Sequence, residues 1–332
     1  MIRTPVCDLI GIEHPICLGG MASLFAVDLT VAVSEAGGLG TLGATVRPAD
    51  EIAAAIETIR AGTEKPFGIN FLLFMIEEDR FEAALAARVP VLSFAWARRD
   101  QELGPYFDRA HQSGAKVMFM AGDVEEAVRG ARAGADVIVA QGTEGGGHVG
   151  WTASLPLVPM VVDAVLDAVL DTVGPVPVLA AGGIADGRGL AAALALGADG
   201  VLLGTRFLAS DESPLHENFK QAIVDSDGED TELTETYDIA IDQDWPGAMA
   251  RIYRNRFAER WAGRNWEVHA RRAEIQAAIA AARKAGDTDE APLLIGQDAG
   301  LVRDVAPAGK LVARIAAEAE EILRGRLPGL VG

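Results

Sequence analysis

The chain is short of cysteine, of positive charge and of long apolar runs, and each shortage removes a class of function. Its 332 residues hold 2 cysteines, Cys7 and Cys17, which is too few for a disulfide framework and lacks the paired spacing of a zinc site. A reducing compartment and no bound metal are therefore expected. The 29 Lys and Arg residues face 48 Asp and Glu, for a net charge of −19 and a pI near 4.6. Nucleic acid and membrane partners need a basic face, so neither is expected. A small anionic substrate stays compatible, because a few donors can dominate inside a pocket. The longest apolar stretch, LVPMVVDAVLDAVL (157–170), is broken by Asp163 and Asp167 and falls short of a spanning helix. The opening MIRTPVCDLIGIEHP lacks the apolar centre of a signal peptide, and a cytoplasmic location is expected.

What is present is an alternation. Half the residues are apolar and 23% are charged, the balance of a globular enzyme. Apolar runs at 15–20, 39–44, 67–72, 90–96, 116–121, 137–142, 176–183 and 200–207 read as strands. Amphipathic helical stretches such as DEIAAAIETIRAG and DVEEAVRGARAGA separate them. Strands this apolar, spaced by helices, are parallel and buried on both faces. Eight of them predict an α/β fold, a TIM (β/α)8 barrel, with an open doubly wound sheet as the alternative. Glycines and polar residues cluster after the strands' carboxyl ends, which in a barrel all face one mouth, and this favours the barrel. After residue 210 the pattern breaks: 211–300 is more acidic, carries three of the five tryptophans and includes DSDGEDTE (225–232). It reads as a mostly helical insertion over the mouth, between a barrel of 1–210 and a last barrel helix within 301–332.

Two loops stand out as an anion site. AAGGIADGRGL (180–190) and LLGTRF (202–207) follow strands seven and eight, where barrels often bind phosphate through glycine-turn amides and a helix start. Gly182, Gly183, Gly204 and Thr205 are the residues expected to do so. QGTEGGGHVG (141–150) places five glycines around His148, the one histidine in a strand-end loop. An imidazole there can take a proton from a carbon acid or stabilise an anion. Glu144 is open to two readings, as the orienting partner of His148 or as a solvated residue. His14, His111, His216 and His269 fall in linkers or helices, where surface or capping roles are expected. GLGTLG (38–43) matches a dinucleotide fingerprint in letters alone, because a helix precedes it and a strand runs through it. Cys17 lies within a strand as a structural thiol, and no cysteine follows strand six to act as a nucleophile.

These motifs, with GGM (19–21), AVSEAGGLGTLGA (32–44), PFGIN (66–70), DWPGAMARIYRN (244–255) and GQDAGLVRDVAPAGKLV (296–312), resemble the nitronate monooxygenase (2-nitropropane dioxygenase) family. The same family resembles the FMN-dependent enoyl-[acyl-carrier-protein] reductases. The resemblance implies an FMN at the barrel mouth, its phosphate on Gly182, Gly183, Gly204 and Thr205. Met21, Asn70, Gln141 and Gly146 would contact the flavin or its ribityl chain. Gly20, Ala22, Gly147 and Leu203 would complete the cofactor site. His148 matches the catalytic histidine. Two departures stand out: Gly145 replaces an alanine of the family loop, and Met120 stands where some relatives carry lysine near the end of strand five.

The activity implied is oxidation of an alkyl nitronate, with O2 as the second substrate, to a carbonyl compound and nitrite. A neutral nitroalkane would first lose its α-proton to His148. The alternative is an NAD(P)H reductase of an enoyl thioester or a quinone, using the same flavin and histidine. The oligomeric state is left open, a homodimer among the arrangements.

Overall fold

The computed structural model describes residues 1–21, 24–169 and 174–330, so Ala22 lies outside the described residues. Its strands are β1 (Ile16–Leu18), β2 (Gly40–Gly43), β3 (Phe67–Leu72), β4 (Val91–Ala95), β5 (Lys116–Ala121), β6 (Val137–Gln141), β7 (Gly147–Val149), β8 (Val178–Ala181), β9 (Gly200–Leu203), β10 (Thr231–Thr234) and β11 (Met249–Tyr253). Eight of these pair in parallel in the order β1-β9-β8-β6-β5-β4-β3-β2. A parallel bridge between Cys17 and Leu39 joins the two ends of that order, so the sheet closes on itself. The barrel was the expectation, and all eight strands fall on runs the sequence marks as apolar.

Two layers of side chains account for the continuous hydrophobicity of the strands. One set points inward: Cys17, Leu39, Val91, Met118, Val139 and Leu179 form a cluster with Val6, Cys7 and Ile10 of the helix Pro5–Ile10. The other set points outward against the helices, with Leu18, Ile69, Phe94, Phe119, Ile138 and Leu203 among its members. Successive residues of a strand face opposite ways, so a strand buried on both sides has no polar position to spare. Cys17 is fully buried in the inner layer, where desolvation pushes its thiol far up, as a structural cysteine requires.

The helix Ala308–Glu321 packs against the helices Gly187–Ala195 and Val27–Glu35 and completes the outer ring. A parallel bridge between Ser210 and Ala306 ties the chain where it leaves the barrel to the chain where it returns. Between these points lie the helices Glu217–Asp225, Thr236–Ile241, Arg256–Trp261, Asn265–Ala270 and Arg272–Ala285. This segment is not helical alone. It contributes β10 and β11, which form a three-stranded antiparallel sheet with β7, a strand drawn from the glycine-rich stretch itself. The sequence expectation of a plain loop at 141–150 is corrected here. Gly147–Val149 is too short and too rich in glycine to signal a strand, and its partner lies about a hundred positions away. The stretch LFMIEEDRF (73–81) is a single 3₁₀ turn, Leu73–Met75, followed by the start of the helix Glu78–Ala86. Among the described residues no helix is long and apolar enough to cross a membrane.

Phe94 sits at the centre of the outer layer, fully buried, with ring centroids 5.8 Å from Phe81 and 5.6 Å from Phe107. Phe94→Ala is expected to cost about 3–5 kcal/mol of unfolding free energy, read as a lowered urea midpoint at unchanged slope. A loss below ~1 kcal/mol would mean that the layer collapses around the gap more readily than a close-packed core can.

Candidate active site

The carboxyl ends of the barrel strands and the insertion enclose a cavity of about 610 Å³. Gly20, Met21, Asn70, Gln141, Gly146, Gly147, His148, Gly182, Gly183, Gly204 and Thr205 all line it, so the topology brings together residues spread over nearly two hundred positions. Leu203 is the exception. Its side chain packs outward in the helix layer, and its neighbour Leu202, on the opposite face of β9, lines the cavity instead. Leu203 contributes a carbonyl that accepts the Gly19 amide at 2.9 Å.

Much of the glycine density answers to the protein's own backbone. A Cβ on Gly146 would lie 2.5 Å from the Gly296 nitrogen and the Ile295 carbonyl carbon. One on Gly142 would lie 2.4 Å from the Ser154 nitrogen, and one on Gly150 3.0 Å from the Gly122 oxygen. Gly182, at φ 91°, would place a Cβ 2.7 Å from the Gly142 oxygen. Only glycine lets these chains approach so closely. Gly145 differs: an added methyl would make ordinary-to-tight contacts of 3.3–3.4 Å, which is why an alanine is tolerable at that place in the loop.

Side chains then lock the loop. Arg251 of β11 donates from Nε and Nη2 to the Thr143 carbonyl at 3.1 and 2.9 Å. Glu144 accepts from the Ser154 amide (2.9 Å) and hydroxyl (2.9 Å). It is therefore neither the partner of His148 nor a solvated residue, the two readings open from sequence. The partner is Asp238, on the helix Thr236–Ile241: its Oδ1 lies 2.7 Å from His148 Nε2, and both residues are buried. The imidazole also stacks on Trp245, with centroids 3.3 Å apart and planes 8° from parallel. A carboxylate on one ring nitrogen fixes the proton there and presents the other nitrogen as the acceptor. Here that leaves Nδ1 as the ring's acceptor, on a residue that lines the cavity.

The predicted anion nest contains a surprise. Gly182 and Gly183 are both left-handed (φ 91° and 75°), and a Cβ on Gly204 would meet nothing within 4 Å, so the turn is open toward the cavity. Yet the same wall carries a buried carboxyl, Asp298, hydrogen-bonded by Thr205, whose Oγ1 also accepts the Gly296 amide at 2.9 Å. Burial pushes the Asp298 carboxyl up to about 7. Near neutrality it can thus be a neutral donor rather than a repelling charge.

A sequence profile of the nitronate monooxygenase family matches residues 3–84 and 74–318. The chain belongs to this family. It is 41% identical over 238 residues to a (3aS,4S,5R,7aS)-5-hydroxy-7a-methyl-1-oxo-octahydro-1H-indene-4-carboxyl-CoA dehydrogenase of Mycobacterium tuberculosis, covering 71% of this chain and 64% of that protein. The chain thus spans under two thirds of the length of that relative. Among solved structures, FabK from Thermotoga maritima superposes with a TM-score of 0.86 at 36% identity, over 100% of both chains. Nitroalkane oxidase from Streptomyces ansochromogenes superposes at 0.79 with 32% identity, over 95% of this chain and 98% of that one.

A nitronate monooxygenase family site should receive a flavin, and three observations make this cavity fit one. Its volume is that of a cofactor site. The glycine turn is open where a phosphate would enter. Asn70 Oδ1 and Gln141 Oε1 are buried without a hydrogen-bond partner among the described residues, although Asn70 Nδ2 reaches Ser93 Oγ at 3.1 Å. Such orphaned acceptors are costly unless a ligand meets them.

Sequence reasoning missed Asp238, Trp245, Asp298 and Arg251. Two motifs already singled out held the signal, since Trp245 and Arg251 lie in DWPGAMARIYRN and Asp298 in GQDAGLVRD. Nothing local marks Asp238, whose role exists only through its contact with position 148. His216 was expected as a cap, and it does accept the Asn218 amide at 3.2 Å while also bordering the cavity.

Gly146→Ala is expected to lift the insertion off the loop, costing about 1–3 kcal/mol or more, whereas Gly145→Ala should leave the melting temperature nearly unchanged. Equal melting temperatures for the two variants would refute the close-approach argument. For Asp298, the folded protein holds a proton that the unfolded chain releases near pH ~3.9. Stability from this group is complete below that pH and is lost as pH rises toward 7. Asp298→Asn should therefore melt with the parent at about pH 4 and above it at about pH 8 in thermal scans of flavin-free protein.

Proposed function

We propose that this chain is an FMN-dependent oxidoreductase that oxidises an alkyl nitronate to a carbonyl compound and nitrite, with neutral nitroalkanes entering through prior loss of the α-proton to His148. The observation that carries this reading is the pairing of His148 Nε2 with Asp238 at 2.7 Å in the wall of a largely apolar cavity. Bound FMN supplies a two-electron acceptor that O2 can regenerate. The chain's own residues do the rest. The amides of Gly182, Gly183 and Gly204 would hold the phosphate, with the Thr205 hydroxyl tied to Asp298 and Gly296 beside them, and Asn70 and Gln141 would accept from the donors of the cofactor. His148 Nδ1 receives the proton, and the Asp238 carboxylate offsets the charge of the imidazolium that results. Leu72, Met75, Trp96 and Met120 give an apolar wall that suits an alkyl group and excludes water. The likeness to the Streptomyces nitroalkane oxidase supports the substrate class.

A second reading has specific support: the 41% identical relative is named for a carboxyl-CoA substrate, and FabK matches over the full chain. In that reading the same base and cofactor act on a thioester, with NAD(P)H as reductant or the substrate's own C–H as hydride source. The two separate in one experiment, in which the purified yellow protein is mixed without oxygen with propane-2-nitronate or with NAD(P)H. Bleaching by the nitronate supports the proposal; rapid bleaching by NAD(P)H and none by the nitronate overturns it. His148→Asn should keep its flavin and lose about 10²–10⁴-fold in kcat/KM on neutral nitroalkanes, with a far smaller loss on preformed nitronates. An equal loss on both would remove proton abstraction from its role.

A further inference from the structure

We propose that the indole N–H of Trp245 is the hydrogen-bond donor to the substrate oxygen that gains charge when His148 removes the α-proton, which makes Trp245 a second catalytic residue. This deepens the reading just given and rests on it. The starting observation is that Trp245 Nε1 is buried in the cavity wall with no hydrogen-bond partner among the described residues. An indole nitrogen can only donate, so what it lacks is an acceptor. Among the described residues the two other orphaned groups of the wall, Asn70 Oδ1 and Gln141 Oε1, are acceptors, and they do not meet it. A ligand must therefore present donors to one part of the cavity and an acceptor oxygen to another. The first description suits the cofactor, and the second suits a nitro or thioester oxygen.

The donor is held by rings. Trp245 stacks on His148, packs against Phe74 at 4.9 Å and meets Trp96 nearly edge-on at 5.9 Å and 85°. Trp96 itself adopts φ 55°, a left-handed backbone that a bulky side chain enters only where its surroundings compel it. The segment carrying Trp245 runs between Asp242 (φ 60°) and Gly247 (φ 75°), two turns that bring the indole back over the histidine. Base and donor thus sit on one wall, fixed by their mutual stack. The chemistry needs both. The C–H bond breaks and its proton goes to Nδ1, while the electron pair forms the C=N bond of a nitronate, or the C=C bond of an enolate, and leaves the negative charge on oxygen. A donor waiting at that oxygen stabilises the transition state more than the neutral substrate.

The test uses FMN-loaded protein and 2-methylpropanoate, which has the shape and paired oxygens of propane-2-nitronate but cannot be oxidised. With ¹⁵N-labelled tryptophan, the Trp245 indole signal is assigned by its absence in Trp245→Phe, or in Trp245→Tyr if the first variant loses its flavin. The signal should move downfield as the carboxylate is added. Trp245→Phe, which keeps an aromatic ring against His148, should bind the carboxylate about tenfold or more weakly in flavin-absorbance titrations and lose about 10²–10³-fold in kcat on 2-nitropropane. An unmoved indole signal while the flavin reports binding, equal affinity in the variant, or no binding at all would overturn the proposal. Neither titration depends on turnover. A protein that shifts its indole signal yet leaves nitronates untouched loses the substrate assignment and keeps the donor.

Discussion

The active-site geometry depends on the antiparallel pairing of β7 with β11, three residues against three, with His148 opposite Ala250. β7 belongs to the barrel's sixth strand-end loop, and β11 belongs to the segment inserted after the eighth. Their pairing is what carries the helix Thr236–Ile241 and the loop holding Trp245 to the imidazole. Without it, His148 would be a histidine in a glycine loop, with neither a carboxylate on Nε2 nor an indole on its face. The site is thus assembled across a topological boundary, and its precision is inherited from backbone hydrogen bonds rather than from loop stiffness.

The glycines seat the loop that carries β7. Side chains at positions 142, 146 and 150 would strike the backbone of Ser154, of Ile295 and Gly296, and of Gly122, so the loop can lie against these neighbours only without them. The loss of backbone entropy is offset by packing chain against chain and by the Arg251 and Glu144 locks at either side of the loop. One set of glycines, Gly182 among them, therefore serves the protein's own close packing, while Gly204 leaves space for something else. The distinction lies in what a Cβ would strike: protein backbone in the first group, and in Gly204 nothing at all.

The chain's strong negative charge places a demand on the cavity, because an anionic cofactor or substrate must enter a molecule that repels anions at long range. Two buried acids meet the demand in opposite ways. Asp238 is spent on His148, its Oδ1 2.7 Å from Nε2. Asp298 is desolvated, which pushes its carboxyl up to about 7 and weakens the charge it sets in the cavity wall. Carboxyls of one kind thus take two roles, decided by what surrounds them.

Sequence alone determined the barrel, because strands buried on both faces leave an unbroken apolar signature that recurs with each βα unit. It also marked Gly182, Gly183, Gly204, Thr205 and His148 as residues of one mouth, and the structure gathers them in one cavity. Leu203 shows the limit, since choosing it over Leu202 is a matter of which way a strand residue faces, and periodicity is silent when both faces are apolar. The tertiary structure alone decided the partners: Asp238 for His148, Trp245 above it, Asp298 in the nest, Ile295 and Gly296 beneath Gly146. Each is a contact between residues about ninety to a hundred and fifty positions apart, made by a short strand too glycine-rich to announce itself. Local patterning records which face of an element is buried, and it carries no record of what another part of the chain will bring there.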